Sequence, residues 1–478
     1  MQNREGDRVP RDTPVTSYEG RRVLVAGTGV AGEASATVLL RAGAEVTVLD
    51  RRDGEGVQRL RAAGAIVVLG EQPPDGLVES VDDVVVSPGF APHSPLAVAC
   101  RAAGTPVYSE PELAWRLRPA DAPPWLAVTG TNGKTTTVTM LGAMVRAAGH
   151  RTAVLGNIGE PLVYAALDAD RFDVLAVELS SFQLHWSSTL APEAGALLNL
   201  ADDHLEWHGS FDAYAAAKWA IWRSADDERP EPGLAVGNLD DPLVAEKLAR
   251  VRGHTVGFSV VAAPGPGRFV LADGVLVDGD GRELIAADLV RPAGRHNAAN
   301  ALAAAALAQA HGVPVAAIRD GLVGYVPEPH RNALVTTVDG VAYVDDSKAT
   351  NPHAALASLT AYPRVVWVVG GQLKGVDIGD LVAAVRNRLV GAVLLGVDRD
   401  QVAAALARHA PDVPVVTVTR TDDGAMAEVV RAAAALARPG DTVLLAPAAA
   451  SKDMFTSYAH RGDAFAAAVR ARPAEVAP

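Results

Sequence analysis

The sequence has few of the residue types on which secreted and membrane proteins depend. Its 478 residues include a single cysteine, Cys100, so no disulfide can form within the chain. This usage is typical of proteins from a reducing cytoplasm. No uninterrupted apolar run approaches the roughly 18 residues that a membrane helix requires, and the alanine-rich stretch 298–310 is broken by Asn300 and Gln309. We therefore expect a cytoplasmic protein that does not enter a membrane.

Basic residues are scarce relative to acidic ones. The sequence contains 43 Lys and Arg residues against 56 Asp and Glu residues, a formal net charge of −13 at pH 7. This balance argues against nucleic acid and anionic membrane surfaces as partners, while it permits a local basic pocket for phosphate groups. At 478 residues the chain exceeds one ordinary hydrophobic core, and its length favours about three domains.

Apolar segments of strand length alternate with segments of helix length along most of the chain. This pattern predicts an α/β fold with doubly wound sheets. Proline-containing linkers lie at residues 118–124 and 327–329. We predict a disordered polar tail over residues 1–17, an N-terminal Rossmann-like domain over 18–112, a central P-loop ATPase-like α/β domain over 113–327, and a C-terminal Rossmann-like domain over 328–478.

A decapeptide that begins at Val128, V-T-G-T-N-G-K-T-T-T, contains the residue types that bind nucleotide phosphates. Gly130 and Gly133 allow backbone amides to approach an anion closely. Lys134 adds charge for the terminal phosphates, and the Thr135 hydroxyl is placed to ligate Mg²⁺. The segment predicts ATP or GTP binding. Because Val128 stands where the full pattern requires its first glycine, a simple glycine-rich turn before a helix is the alternative.

A second glycine-rich turn lies near the N-terminus. Residues 27–32, G-T-G-V-A-G, fit the dinucleotide-binding pattern G-x-G-x-x-G. Asp50 ends the next predicted strand, about twenty residues further on, where an acid that binds a ribose would lie. Taken alone, this pattern is compatible with a nicotinamide or flavin, with another nucleotide-containing ligand, and with a tight turn in a purely structural unit.

Further polar residues follow predicted strands of the central block. Glu178 ends a strand near the phosphate loop, where it could hold Mg²⁺ or be an ordinary solvated strand end. His204 belongs to the polar cluster 199–208, which could hold a metal ion or cap a helix. Lys218 lies in an apolar helical run, and a lysine in such a run usually extends its amine to solvent.

A set of short motifs occurs in the order and spacing of the Mur ligases, the ATP-dependent amide ligases of peptidoglycan precursor synthesis. The chain resembles this family over nearly its whole length. The motifs are G-T-N-G-K-T-T from Gly130, L-G-N-I-G from Leu155, E-L-S-S-F-Q-L from Glu178, D-H-L from Asp203, Lys218, P-H-R from Pro329, D-D-S-K-A-T-N-P from Asp345, G-G-Q-L-K-G from Gly370, S-K-D-M-F from Ser451 and R-G-D from Arg461. The altered phosphate loop is itself the form found in this family.

The resemblance implies a three-domain enzyme in which ATP phosphorylates a substrate carboxylate and an amine then displaces the phosphate. The implied catalytic residues are Lys134, Asn157, His204 and Lys218. ATP is expected at Gly130, Thr131, Asn132, Gly133, Lys134, Thr135, Thr136, Asn300, Arg331 and Asp346. The family also implies two Mg²⁺ ions, one on Thr135 and Glu178 and one on His204 and Lys218, with Lys218 carbamylated so that it presents a carboxylate.

Within the family, the string D-S-K-A-T-N from Asp346 resembles that of members which add D-glutamate to UDP-N-acetylmuramoyl-L-alanine. The UDP-bearing substrate is then expected in the first domain and its neighbour, at Thr28, Gly29, Val30, Asp50, Arg51, Ser87, Asn157, Ser180 and Gln183. D-Glutamate is expected in the third domain, at Lys348, Thr350, Lys374, Ser451 and Tyr458. We expect a monomer with small-molecule partners only. The alternative is another Mur-type or folylpolyglutamate-type ligase with a different amino acid.

Overall fold

The computed structural model describes residues 17–166, 168, 171–226, 233–422 and 424–472. The predicted tail over residues 1–17 lies outside these ranges apart from Ser17. Three β-sheets with intervening helices make up the described chain, which confirms the prediction of an α/β fold.

The first sheet has five parallel strands in the order β3-β2-β1-β4-β5. Its strands are β1 (Arg22–Ala26), β2 (Glu45–Asp50), β3 (Ile66–Leu69), β4 (Asp83–Val86) and β5 (Val107–Ser109), and its helices are α1 (Val30–Arg41), α2 (Glu55–Ala62), α3 (Pro95–Ala103) and α4 (Glu110–Leu117). Successive residues of β1 face opposite sides of the sheet. Val23 and Val25 pack into the hydrophobic core on one side, and Leu24 packs into the core on the other. The connections diverge between β1 and β4, where open sheets of this kind bind ligands at their carboxyl ends.

The second sheet has nine strands in the order β14-β13-β12-β11-β10-β9-β6-β8-β7. The strands are β6 (Trp125–Thr129), β7 (Thr152–Gly156), β8 (Val174–Glu178), β9 (Ala194–Leu197), β10 (Leu234–Asn238), β11 (His254–Ser259), β12 (Arg268–Ala272), β13 (Val275–Val277) and β14 (Glu283–Ala286). The helices are α5 (Lys134–Ala147), α6 (Leu162–Ala166), α7 (Ser181–His185), α8 (Leu205–His208), α9 (Phe211–Trp219), α10 (Arg223–Asp226), α11 (Pro242–Leu248), α12 (Arg295–Ala310) and α13 (Val315–Val323). Because β6, β7, β8 and β9 run parallel, their carboxyl ends meet at one edge of the sheet.

The third sheet has six strands in the order β15-β16-β20-β17-β18-β19. The strands are β15 (Ala333–Val338), β16 (Val341–Asp345), β17 (Val365–Gly370), β18 (Leu389–Leu395), β19 (Val415–Thr417) and β20 (Thr442–Leu445), and the helices are α14 (Pro352–Thr360), α15 (Gly379–Val385), α16 (Arg399–His409), α17 (Ala425–Leu436) and α18 (Tyr458–Arg470). Only β15 among these strands pairs antiparallel with its neighbour. The polar loops after β16, β20 and β17 therefore lie side by side.

The contacts of the backbone divide the chain into two compact units. The first comprises the described residues up to Ala272, together with Leu276–Leu284 and Ala301–Leu322. The second comprises Asp273–Val275, Ile285–Asn300 and the described residues from Val323 onward. The three-domain boundaries given above stay a prediction. The predicted alanine-rich helix is present as α12, whose residues from Ala301 to Ala308 are buried.

Helix α4 carries two buried carboxylates that connect the first sheet to the second within the first unit. Glu112 accepts hydrogen bonds from the Arg116 guanidinium at 2.9 Å and from the backbone amides of Thr189 and Leu190 at 3.0 and 3.1 Å. Glu110 accepts one from the backbone amide of Val163 at 2.7 Å. Burial raises the pKa of Glu110 from 4.5 to about 7, although that amide acts in the opposite direction.

Glu110 is expected to make the first unit less stable as pH rises. Between pH 4.5 and 7 the unfolded chain loses the Glu110 proton while the folded chain keeps it. The free energy of unfolding therefore decreases as pH rises, and the decrease is complete above pH 7. The loss is about 3 kcal/mol at 1.36 kcal/mol per pKa unit. Glu110→Gln should remove it, so the difference in unfolding free energy between pH 5 and pH 8 should shrink by most of that amount, the rest of the loss lying below pH 5. Urea unfolding followed by tryptophan fluorescence measures it, with the exposed Glu79→Gln as control. Parallel profiles for wild type and Glu110→Gln would contradict the assignment.

Candidate active site

The phosphate loop joins β6 to α5 and folds around the start of that helix. Gly130 and Gly133 have φ values of 157° and 85°, in the left-handed region that favours glycine. A Cβ at Gly130 would lie 2.9 Å from the Cβ of Leu198, so a side chain would not fit there. Lys134 begins α5, and its Nζ donates to the carbonyls of Gly130 and Thr131, both at 2.9 Å. The loop thus places an ammonium group at a helix N-terminus, which suits an anion.

Glu178 lies at the carboxyl end of β8 and links the phosphate loop to the turn after β7. Its Oε2 accepts a hydrogen bond from the Thr135 hydroxyl at 2.7 Å, and its Oε1 accepts one from Asn157 Nδ2 at 2.8 Å. The side chain is 1% exposed, so it is not the solvated strand end of the alternative interpretation. A hydroxyl and a carboxylate are the hard oxygen ligands that Mg²⁺ prefers, so Thr135 and Glu178 fit this ion.

Lys218 lies on α9 with 2% of its surface exposed, so it does not extend its amine to solvent, which is the usual alternative for a lysine in an apolar helical run. Its Nζ donates to the carbonyl of Gly130 at 2.8 Å, which places the amine beside the phosphate loop. Burial, and next the charge of Lys134, hold the pKa of Lys218 well below its usual value, while Asp203 and Glu178 act in the opposite direction. This environment therefore favours the neutral amine, the form of lysine that can act as a nucleophile.

His204 precedes α8 in a left-handed backbone conformation with φ of 54°. Its ring lies 4.7 Å from the ring of Phe182 and its Nε2 is 3.5 Å from a carboxylate oxygen of Asp203. The imidazole is 44% exposed, in contrast to the buried Lys218. Across the described ranges, no cluster of three or more His, Cys, Asp or Glu side chains has the spacing of a metal site. The second Mg²⁺ therefore stays a prediction that depends on a carbamate at Lys218.

Two residues hold the phosphate loop in place: Asn199, from the polar cluster 199–208, and Tyr214, which no sequence pattern singled out. Asn199 accepts a hydrogen bond from the backbone N–H of Asn132 at 2.8 Å and donates one to its carbonyl at 3.1 Å. The Tyr214 hydroxyl lies 2.7 Å from the Thr131 hydroxyl, and its ring centroid is 4.9 Å from Lys218 Nζ. The only signal for Tyr214 in the sequence was its spacing from Lys218, because residues four apart lie on the same face of a helix.

The glycine-rich turn after β1 is closed by side chains from two neighbouring strands. Asp50 Oδ2, at the end of β2, accepts hydrogen bonds from the backbone N–H and the hydroxyl of Thr28 at 2.7 and 2.6 Å. Ser87, after β4, donates to the carbonyl of Gly27 at 2.9 Å. Burial opposes ionisation of Asp50, but the hydrogen bonds from Thr28 and from the backbone N–H groups of Arg51 and Arg52 together outweigh it and lower the pKa. A Cβ at Gly32 would lie 1.8 Å from the Gly27 carbonyl oxygen, so helix α1 can approach this closely only with glycine there.

The remaining residues predicted for the UDP-bearing substrate differ in exposure. Gly29 and Val30 are exposed at the start of α1, and Arg51 is exposed and lies 3.7 Å from Glu71. Ser180 and Gln183 form a capping box at the start of α7, in which each side chain binds the backbone N–H of the other residue. The structure therefore gives Ser180 and Gln183 a local structural role, and their contact with substrate stays a prediction.

The residues predicted for the amino acid lie at the carboxyl edge of the third sheet. Lys348 and Thr350 follow β16, Ser451 follows β20, and Lys374 follows β17, and these three strands are neighbours. Lys348 Nζ lies 4.0 Å from the ring centroid of Tyr458 at the start of α18. The parallel strands thus bring all five predicted residues to one edge, as expected for a ligand site in such a sheet.

Asp346, predicted to contact the ATP ribose, is held by two residues of the second unit. It accepts hydrogen bonds from the backbone N–H of Asn332 at 3.1 Å and from the Ser358 hydroxyl. The side chain of Asn332 in turn accepts a hydrogen bond from the Tyr362 hydroxyl at 2.7 Å. Burial raises the pKa of Asp346 to about 6, against the two hydrogen bonds. Asn332 and Tyr362 were not predicted from the sequence.

The two other residues predicted for ATP in the second unit also have defined neighbours. Arg331 Nε lies 3.4 Å from a carboxylate oxygen of Glu328. Asn300 is buried on α12, and its Nδ2 donates to Asn297 Oδ1 at 3.1 Å. Their contacts with a nucleotide stay predictions.

Three protein-family models match successive parts of the chain. The N-terminal domain of MurD-like Mur ligases matches residues 21–109, the Mur ligase middle domain matches residues 128–308, and the glutamate ligase domain of Mur ligases matches residues 330–449.

Curated relatives match over nearly the whole chain. UDP-N-acetylmuramoylalanine–D-glutamate ligase from Thermobifida fusca is 54% identical over 470 residues, which cover 95% of this chain and 98% of that protein. The protein of the same name from Streptomyces coelicolor is 50% identical over 475 residues, covering 95% and 99%. The one from Mycobacterium bovis is 46% identical over 492 residues, covering 95% and 96%.

Solved structures of lower identity share the fold. MurF from Acinetobacter baumannii is 18% identical with a TM-score of 0.58, covering 95% of this chain and 91% of that one. UDP-N-acetylmuramate-alanine ligase MurC from Thermotoga maritima is 17% identical with a TM-score of 0.54, covering 94% and 99%. In the described part of the chain, every helix is too short or too polar to cross a membrane.

Proposed function

The chain belongs to the Mur ligase family, and we propose that it joins D-glutamate to UDP-N-acetylmuramoyl-L-alanine through an acyl phosphate formed with ATP. The observation that carries the proposal is the 54% identity to a ligase of that name over 95% of the chain. The grouping of Lys134, Glu178 and Lys218 around one phosphate loop supports it, because an enzyme that phosphorylates a carboxylate needs a cationic group and metal ligands at the reacting phosphate.

In the proposed first step, a carboxylate oxygen of UDP-N-acetylmuramoyl-L-alanine attacks the γ-phosphorus of ATP and the bond to ADP breaks. Both reactants are anions, so positive charge is the main requirement. Lys134 and the backbone N–H groups at the start of α5 would supply it. Asn157, in the exposed turn after β7, would donate to the γ-phosphate.

Thr135 and Glu178 would hold one Mg²⁺, and His204 would hold a second together with a carbamate on Lys218. Bound Mg²⁺ would neutralise charge on the phosphate and carboxylate oxygens. The carbamate forms when the neutral amine of Lys218 bonds to the carbon of CO₂ and releases one proton. Burial of the amine supports this assignment, because a protonated lysine has no lone pair with which to react.

Nucleotide and sugar contacts follow the positions described above. The loop from Gly130 to Thr136 would bind the phosphates of ATP, and Arg331, Asp346 and Asn300 would contact the phosphates, ribose and adenine. The UDP-bearing substrate would contact Thr28, Gly29, Val30, Asp50, Arg51, Ser87, Ser180 and Gln183.

In the second step, the amine of D-glutamate attacks the carbonyl carbon of the acyl phosphate, and the tetrahedral intermediate expels phosphate while the amine loses its proton. Lys348 and Lys374 would pair with the side-chain carboxylate of the amino acid. Thr350 and Ser451 would donate hydrogen bonds to it, and Tyr458 would pack against Lys348. We further propose that the enzyme is a cytoplasmic monomer acting on small molecules.

Amino-acid choice tests the proposed function directly. Two lysines and two hydroxyls suit a dicarboxylic amino acid, and a neutral one would leave them unpaired. We expect ATP-dependent phosphate release with UDP-N-acetylmuramoyl-L-alanine and D-glutamate, with L-glutamate and D-alanine poorer by about two orders of magnitude in kcat/KM. Comparable rates with L-lysine or diaminopimelate would instead assign the chain to a different Mur-type ligase.

A further inference from the structure

Three loops at the carboxyl edge of the third sheet are tied together by two aspartates. The loops are residues 370–375 after β17, 396–398 after β18, and 446–453 after β20. We call them the edge loops. The first and last carry Lys374 and Ser451, the residues proposed to bind the amino acid.

Asp398 ties the second edge loop to the first. Its Oδ2 accepts a hydrogen bond from the backbone N–H of Leu373 at 2.7 Å, and its own N–H donates to the carbonyl of Gly371 at 3.1 Å. Leu373 is buried and directly precedes Lys374, which has a left-handed φ of 56°. A non-glycine residue in this region costs about 1 kcal/mol or more, so its neighbours must hold it there.

Asp453 ties the third edge loop to the second. Its Oδ2 accepts a hydrogen bond from the backbone N–H of Val397 at 2.9 Å. A Cβ at Gly396 would lie 2.5 Å from Gly371 and 2.8 Å from that same carboxylate oxygen, so the loops touch along their backbones. Gln372 and Ala450 complete the connection with a pair of backbone hydrogen bonds at 2.9 and 3.0 Å.

We propose that Asp398 and Asp453 are positioning residues that set the orientation of Lys374 and Ser451 for the amino-acid substrate. The inference rests on the proposed function, and it identifies determinants of amino-acid affinity that do not touch the ligand. Each aspartate directs an oxygen to a main-chain amide, so it aligns the loops through the backbone. A ligand carboxylate bound by two fixed groups is sensitive to small displacements of those groups. A shift of about 1 Å can lower the reaction rate by a factor of about 100.

The test is steady-state kinetics with each of the three substrates varied in turn. Asp398→Ala should raise the KM for D-glutamate about tenfold or more, while the KM values for ATP and UDP-N-acetylmuramoyl-L-alanine change less than about twofold. Asp398→Asn should stay close to wild type, because its amide oxygen can still accept the Leu373 N–H. Asp453→Ala, measured in parallel, should behave as Asp398→Ala does, so the test does not depend on one variant folding.

A double-mutant cycle separates positioning from general destabilisation. If Asp398 acts through Lys374, the variant that combines Asp398→Ala and Lys374→Ala should raise the D-glutamate KM by a factor well below the product of the two factors for the single variants. Asp400→Ala removes an exposed aspartate two residues further on, in the first turn of α16, and is the matched control that should leave all constants unchanged. A lower kcat with unchanged KM values, an equal rise in all three, or an additive cycle would overturn the inference. A wild-type protein that ignores D-glutamate would instead overturn the proposed function, and the inference with it.

Discussion

Replacing Lys134 with alanine is expected to abolish ligation, with kcat reduced about a thousandfold or more. Lys134 supplies positive charge at the start of α5, where the attacking carboxylate and the γ-phosphate must approach each other. Binding of UDP-N-acetylmuramoyl-L-alanine should stay within about threefold of wild type, because most of the residues proposed to contact this substrate lie around the first sheet and Lys134 is not one of them. Phosphate release and calorimetric titration of the sugar nucleotide provide the two measurements.

A matched control for this variant is Lys247→Ala on α11, which removes a lysine of the same unit whose Nζ lies 5.5 Å from the Trp219 ring. It should leave turnover unchanged. Because Lys134 also donates to two carbonyls of the phosphate loop, the thermal midpoint of Lys134→Ala is compared with wild type to verify folding. A folded Lys134→Ala variant that keeps more than about a tenth of wild-type kcat would contradict the role assigned to the loop.

Lys218→Ala is expected to be nearly inactive and to recover in part when acetate is added. The substitution removes the amine that would carry the carbamate and leaves a buried space beside Gly130. A short carboxylate can occupy that space and supply the missing oxygen ligand. We expect a loss of at least about a thousandfold in kcat, with acetate restoring activity in a saturable manner.

The same acetate added to Lys134→Ala is the control, and it should have no effect, because that variant lacks a cation. A second readout does not depend on activity: ¹³C-labelled bicarbonate should produce a carbamate resonance in the wild type that disappears in Lys218→Ala. Full activity of Lys218→Ala without acetate, or an unmodified amine in active wild-type enzyme, would exclude the carbamate.

The parts of the site that follow directly from the sequence are those built by local chemistry at strand ends. Glu178 was expected near the phosphate loop because it ends a strand beside that loop, and the family resemblance implied Asn157 at the same site. The hydrogen bonds of Glu178 with Thr135 and Asn157 confirm their proximity. The resemblance assigned Lys348, Lys374 and Ser451 to one ligand, and the structure places all three at one edge of the third sheet.

Lys218 shows where local pattern was insufficient. An apolar run on one helix does not show how deeply a side chain in it is buried. From that helix alone, the ordinary expectation was that the amine of Lys218 reaches solvent. The observed burial depends on how α9 packs against α7 and α8 and places Lys218 beside the phosphate loop, and that burial lowers the pKa of Lys218.

By itself, the sequence determined the α/β class, the position of the phosphate loop and the family, because glycine spacing, strand periodicity and charged motifs are local properties of the chain. Only the tertiary structure decided that Asn199 and Tyr214 hold the phosphate loop and that Thr28 closes on Asp50. It alone also placed Asp398 and Asp453 between the edge loops. These contacts join residues far apart in the chain through hydrogen bonds to the backbone or between short polar side chains. Their partners are therefore selected by which loops lie side by side after the sheets form, and no local pattern encodes that neighbourhood.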